Sequence, residues 1–128
     1  MENARHNHVF IVDDSAAIRM RLAEMLGALH DVDIVGEAAS AREAVAGILR
    51  LRPDTVLLDL NLEGRTGIDV MREVKPQVPG TIFVVLTNHG EPQYRTACTR
   101  AGARYFLDKS RDFERVPQVI AEIAATLQ

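Results

Sequence analysis

The chain has 128 residues, a formal net charge of −3, and 47% hydrophobic and 26% charged residues. That is the size and balance of one soluble domain able to bury a core without disulfides or structural metal. Its mild acidity and 5% aromatic content exclude a general electrostatic or stacking attraction to DNA, RNA or anionic lipid. No apolar run approaches the ~18 residues of a membrane span, and "MENARHNH" lacks the apolar middle of a secretory signal, so a cytoplasmic location is expected.

Residues 1–7 read as a disordered or extended tail and 8–128 as a single domain. "VFIV" (Val9 to Val12) predicts a first strand that runs straight into Asp13 and Asp14. Two aspartates about 5 Å apart at an effective dielectric near 20 repel by roughly 3 kcal/mol, so something must offset them. A helix follows from Ser15, with Ile18, Leu22, Met25, Leu26 and Leu29 in its apolar stripe. "VDIVGEA" supplies a second strand. "SAREAVAGILRL" opens with a capping box of Ser40 and Glu43, carries Ala44, Val45, Ile48 and Leu49 on one face, and is stopped by Pro53.

"TVLLDL" (Thr55 to Leu60) is almost continuously apolar, as a central strand covered on both faces should be. After the turn "EGRTG" comes a helix bearing Ile68, Met71 and Val74, then "TIFVVLT" (Thr81 to Thr87) as another doubly covered strand. Pro92 opens a helix carrying Tyr94, Ala97, Cys98 and Ala101, and Gly102 ends it. "RYFLD" is the fifth strand. Asp112 to Arg115 form a separate tight turn, and a last helix carries Val116, Val119, Ile120, Ile123 and Leu127.

Five such units predict an α/β fold: a (βα)5 doubly wound, parallel five-stranded sheet of order 2-1-3-4-5, with its ligand site outside the carboxyl ends of strands 1 and 3. Asp13 and Asp14, Asp59, Thr87 and Lys109 end strands 1, 3, 4 and 5 and therefore share one edge of the sheet. Three carboxylates in one pocket call for a hard divalent cation; Mg2+ fits, with Mn2+ as a possible substitute. Lys109 adds a point charge for an anionic group, and Thr87 a hydroxyl to bond it. These parts suit phosphoryl transfer, with Asp59 as the nucleophile. Cys98 reads as a small core residue, and His6, His8, His30 and His89 show no metal-ligand spacing.

The fragments "VDDS", "LLDLNLEGRTG", "VVLTN" and "GARYFLDKS", in this order, resemble the receiver domains of two-component response regulators, over a span from His8 to Leu127. The resemblance implies the flavodoxin-like receiver fold and phosphorylation of Asp59 by a sensor histidine kinase or histidine phosphotransfer protein. It would place Asp14, Asp59 and the backbone carbonyl of Asn61 on the metal, with Asp13 reaching it through water. Lys109 would contact the phosphoryl group, Thr87 would be the switch hydroxyl, and Phe106 the rotating aromatic. Signalling would use the face of helix 4, strand 5 and helix 5 toward an unidentified protein target, as a monomer or a phosphorylation-linked dimer. The domain would be no enzyme beyond its own phosphorylation and dephosphorylation.

Three departures stand out. Glu63 replaces a common proline, although Gly67 is kept. Ser110 follows Lys109 where many receivers have a cis-linked proline, and because a cis bond costs about 2.5–4 kcal/mol without proline, a trans peptide is expected. Asn88 and His89 follow Thr87 and are expected to gate the access of water to Asp59. The chain ends at Gln128 with neither an output domain nor a basic patch, so a stand-alone receiver is expected. The alternative is a receiver-like scaffold that binds partners without phosphorylation. A flavin carrier is disfavoured because "DDSAA" stands where a phosphate-cradling loop belongs.

Overall fold

In the computed structural model, which describes residues 6–127, the strands are β1 (Asn7–Val12), β2 (Val32–Ala38), β3 (Thr55–Leu58), β4 (Ile82–Thr87) and β5 (Ala103–Asp108). The helices are α1 (Ala16–Gly27), α2 (Ala41–Leu51), α3 (Gly67–Val74), α4 (Pro92–Ala101) and α5 (Val116–Thr126). The sheet is parallel throughout, in the order β2-β1-β3-β4-β5, as the sequence predicts.

The apolar runs explain this arrangement residue by residue. Alternate strand side chains point to opposite faces. Val9, Ile11, Leu57, Val84 and Leu86 pack with Leu22 and Leu26 of α1 and Ile120 and Ile123 of α5. Phe10, Val12, Val56, Leu58, Phe83 and Val85 pack with Ile48 of α2, Met71 of α3 and Cys98 of α4. Each fully buried side chain of this kind contributes roughly 1.5–3 kcal/mol relative to exposure, and both faces of the central strands collect that gain.

Local signals set most boundaries. Ser15 Oγ accepts from Ile18 N–H at 3.2 Å and caps α1. Ser40 caps α2, but the Glu43 carboxylate takes the N–H of Ala39 at 2.9 Å rather than that of Ser40, so the expected box closes one residue early. A reciprocal box forms instead at Thr66 and Asp69, before α3. Gly102 ends α4 with φ at 115°, a left-handed conformation that favours glycine.

Several expectations need correction. Asn7 is fully buried inside β1 and is no part of a tail; residues 1–5 lie outside the described residues. β3 ends at Leu58 rather than Leu60, because the chain turns away after Asp59, whose N–H still reaches Val12 O at 3.0 Å. β5 ends at Asp108, as "RYFLD" predicts, so Lys109 lies just past the strand; in place of one tight turn over Asp112 to Arg115, Lys109–Asp112 form a short helical turn and Phe113–Arg115 a 3-10 turn. Tyr94 is 36% exposed, not on a buried face. No cis peptide occurs among the described residues, so Lys109–Ser110 is trans, as expected.

Candidate functional site

Because all five strands run in one direction, their carboxyl ends deliver Asp13 and Asp14 from β1, Asp59 from β3, Thr87 from β4 and Lys109 from β5 to one edge. Ligand oxygens of Asp13, Asp14 and Asp59 lie within 4.8 Å of one another, the only such group of metal-ligating side chains among the described residues. Asp13 and Asp59 are 2% and 4% exposed, whereas Asp14 is open to solvent. Lys109 Nζ bridges the two buried acids, 2.7 Å from Asp13 Oδ2 and 3.1 Å from Asp59 Oδ2.

The two neighbouring aspartates are thereby distinguished. Asp13 is fully engaged: its Oδ1 accepts from Ser15 N–H at 2.9 Å, and Arg19 Nη1 donates to its carbonyl at 2.6 Å while Arg19 Nε reaches Glu37 at 3.0 Å. Asp14 has no hydrogen bond or ion pair to another described residue. Burial pushes the Asp59 carboxyl above its ordinary value; Lys109 and the Asn61 N–H oppose that rise, and the charge on Asp13 adds to it. Burial works against the Lys109 ammonium too, but its bonds to Asp13 and Asp59 outweigh it and hold the group above its usual value. One cation is shared between two acids and does not neutralise three. An all-oxygen donor set with residual negative charge and one solvent-facing carboxylate fits a hard divalent cation.

Gly67 is required by the acceptor loop. A Cβ there would stand 2.4 Å from the Asp59 carbonyl oxygen and 3.1 Å from Leu60 Cα, and the Gly67 N–H bonds Leu60 O at 3.0 Å. Asn61 is partnered through its side chain, with Nδ2 2.9 Å from His89 Nε2. His89 N–H donates to the buried Thr87 Oγ1 at 3.3 Å, and its ring lies 5.2 Å from that of Tyr94. His89 therefore ties the β3–α3 loop to the β4–α4 loop, while Asn88 is exposed and makes no hydrogen bond to Asp59. Phe106 is half-buried on β5, and the Arg95 guanidinium lies 4.6 Å from its ring centre.

The Asn61–His89 link and the Arg19 strap are not legible in the sequence: the first joins residues 28 apart, and the second is an ordinary helix arginine until the fold sets it over the Asp13 carbonyl. Cys98 is buried, its thiol pushed up to about 11, as suits a core residue. His6 and His8 face Asp33 and Asp54 at the opposite edge of the sheet.

Residues 9–121 match the response regulator receiver domain family. The chain is 31% identical over 117 residues to the DNA-binding transcriptional activator DevR/DosR of Mycobacterium tuberculosis, covering 91% of this chain and 54% of that protein. It is 38% identical over 104 residues to protein-glutamate methylesterase/protein-glutamine glutaminase 4 of Hahella chejuensis, covering 80% of this chain and 26% of that one. It thus spans about half, or less, of these curated relatives. The response regulator domain of Thermotoga maritima CheB superposes with a TM-score of 0.84 at 26% identity, over 94% of this chain and 96% of that one. A two-component response regulator of the LuxR family from Aurantimonas gives 0.87 at 28% identity, over 94% and 86%.

Proposed function

This chain belongs to the response regulator receiver domain family, and from that premise we propose that it accepts a phosphoryl group on Asp59 from a histidine kinase or a histidine phosphotransfer protein and signals through a phosphorylation-dependent protein surface. The observation that carries the proposal is the convergence of Asp13, Asp14 and Asp59 within 4.8 Å, with Lys109 Nζ bridging the two buried members. A carboxylate so placed is a nucleophile aimed at an electrophile that arrives with negative charge.

In the proposed step, an ionised Asp59 oxygen attacks the phosphorus of a phosphohistidine. An O–P bond forms as the P–N bond breaks, and its electron pair leaves with the donor imidazole, which takes up a proton from solvent. Asp59 needs no base, because it enters deprotonated; the demand is for positioning and charge neutralisation. Asp14, Asp59 and the Asn61 carbonyl would hold Mg2+ or Mn2+, which supplies Lewis-acid neutralisation of the phosphoryl oxygens when bound. Asp13, both of whose oxygens already have partners, would act on that ion only through water. Lys109 gives up part of its hold on Asp59 to bond a phosphoryl oxygen.

The product replaces a carboxylate of one negative charge by an acyl phosphate of about two, and brings three acceptor oxygens that can draw the Thr87 hydroxyl away from the His89 N–H. Phe106 would then turn inward and release Arg95, changing the surface formed by α4, β5 and α5. His89, bonded to Asn61, supports a gating role over the acceptor, with exposed Asn88 beside it. We further assign the chain to the cytoplasm, with protein partners and no reaction beyond its own phosphorylation and dephosphorylation. No helix among the described residues is long and apolar enough to cross a membrane.

Incubation with Mg2+ and acetyl phosphate tests the proposal. Wild type should acquire acid-stable, base-labile phosphate and Asp59→Asn none. Equal incorporation into Asp59→Asn would overturn the assignment.

A further inference from the structure

The turn that carries Lys109 is clamped by side chains that the proposed chemistry does not use. Asp108 ends β5 and caps the helical turn Lys109–Asp112; its Oδ1 accepts from Ser110 N–H at 2.8 Å and from Ser110 Oγ at 2.6 Å. In return, Asp112 Oδ2 accepts from the Asp108 N–H at 2.9 Å, while its Oδ1 pairs with Arg115 at 3.3 Å. The N–H groups one residue before and one residue after Lys109 are therefore both held by carboxylates. These bonds also keep both acids below the usual carboxylate range, so the clamp stays ionised at neutral pH. The other Asp108 oxygen lies 2.7 Å from where a Cβ on Gly90 would stand, which seats the β4–α4 loop against the same carboxylate.

The consequence falls on Lys109. Its long, flexible side chain loses rotamer entropy when ordered. A small rotation of its peptide is amplified at the ammonium, and a displacement of about 1 Å can cost up to ~10²-fold in rate. We propose that Asp112, acting through the Asp108–Ser110 turn, is a positioning residue for Lys109: it sets the direction from which the ammonium bridges Asp13 and Asp59, and so governs the rate of phosphoryl transfer without touching the reacting atoms. The proposal rests on the reading of Asp59 as acceptor.

Two measurements separate it from simple capping. Lys75 and Lys109 are the only lysines, so 13C-lysine labelling gives two ε-methylene signals by NMR. The geminal ε protons of Lys109 should be inequivalent in wild type and in Asp112→Asn, which keeps an acceptor oxygen, and should merge in Asp112→Ala with Lys75 unchanged. Ser110→Ala, which removes one bond of the clamp, should show the same change to a smaller extent. At saturating Mg2+, the rate with acetyl phosphate should fall about tenfold in Asp112→Ala, return to within about twofold in Asp112→Asn, and show no further loss when Asp112→Ala is added to Lys109→Ala. Unaltered Lys109 signals in Asp112→Ala, or a loss that adds in full to that of Lys109→Ala, would overturn the proposal. A wild type that takes up no phosphate at all would instead sink the acceptor reading, and the lysine signals would still decide the positioning.

Discussion

The two ends of the sheet treat buried polar groups in opposite ways. At the amino end, Asn7 is fully buried, but its Oδ1 accepts from Thr55 Oγ1 at 2.7 Å and its Nδ2 donates to the Ile120 carbonyl at 3.2 Å. Thr81 Oγ1 likewise donates to Pro53 O at 2.7 Å. These three side chains are neutral and matched, and the buried carboxylate at this end, Asp54, is partnered too, accepting from the His8 N–H at 2.9 Å; such networks fix a single packing of strands and α5. At the carboxyl end, three carboxylates face one ammonium. One end is built for stability, and the other gives stability up to keep charge available.

Four changes probe that contrast. The largest is at the charged end: Asp14→Ala, or chelation of Mg2+, should slow phosphorylation by acetyl phosphate about a hundredfold while leaving the melting temperature of the metal-free protein nearly unchanged. A rate kept within twofold would separate Asp14 from the metal. Next, Gly67→Ala drives a Cβ into the Asp59 backbone and should both slow phosphorylation and cost about 1–3 kcal/mol in urea unfolding. Asn7→Ala should cost a similar 1–3 kcal/mol by stranding the buried Thr55 hydroxyl and removing the bond that ties the sheet to the Ile120 carbonyl of α5, with the phosphorylation rate untouched. A slower rate there would mean that the two ends are coupled.

The smallest effect is one of pH. Because burial raises the Asp59 carboxyl, the folded metal-free protein binds a proton that the unfolded chain releases in the window between the ordinary and the raised value. Stability therefore falls as pH rises through that window and returns as pH falls. Asp59→Asn lacks this component, so its advantage in unfolding midpoint should be greatest at neutral pH and shrink on mild acidification. A difference that does not vary with pH would contradict the burial of an ionised Asp59.

The architecture was legible because doubly covered strands such as "TVLL" and "IFVVLT" must be apolar throughout, and because Ser15, Ser40, Pro92 and Gly102 punctuate the helices. The boundary at Asp59 was not, since apolar character does not reveal where strand pairing stops. Tyr94 misled for a related reason: Cys98 is the only buried residue of α4, so helical spacing there does not mark a buried stripe. The strand ends gave the acidic edge, but not the division of labour between Asp13 and Asp14, which depends on one side chain meeting Lys109 and the other meeting water. The Asn61–His89 tie depends on two loops that only the closed sheet brings together.

Borohydride trapping identifies the carboxylate that carries the phosphoryl group. An aspartyl phosphate is reduced to homoserine, and peptide mass spectrometry of protein treated with acetyl phosphate locates the converted residue. Conversion is expected at Asp59 alone, and only with Mg2+ or Mn2+ present. Conversion at Asp13 or Asp14, or at Asp59 to the same extent without a divalent cation, would contradict that expectation.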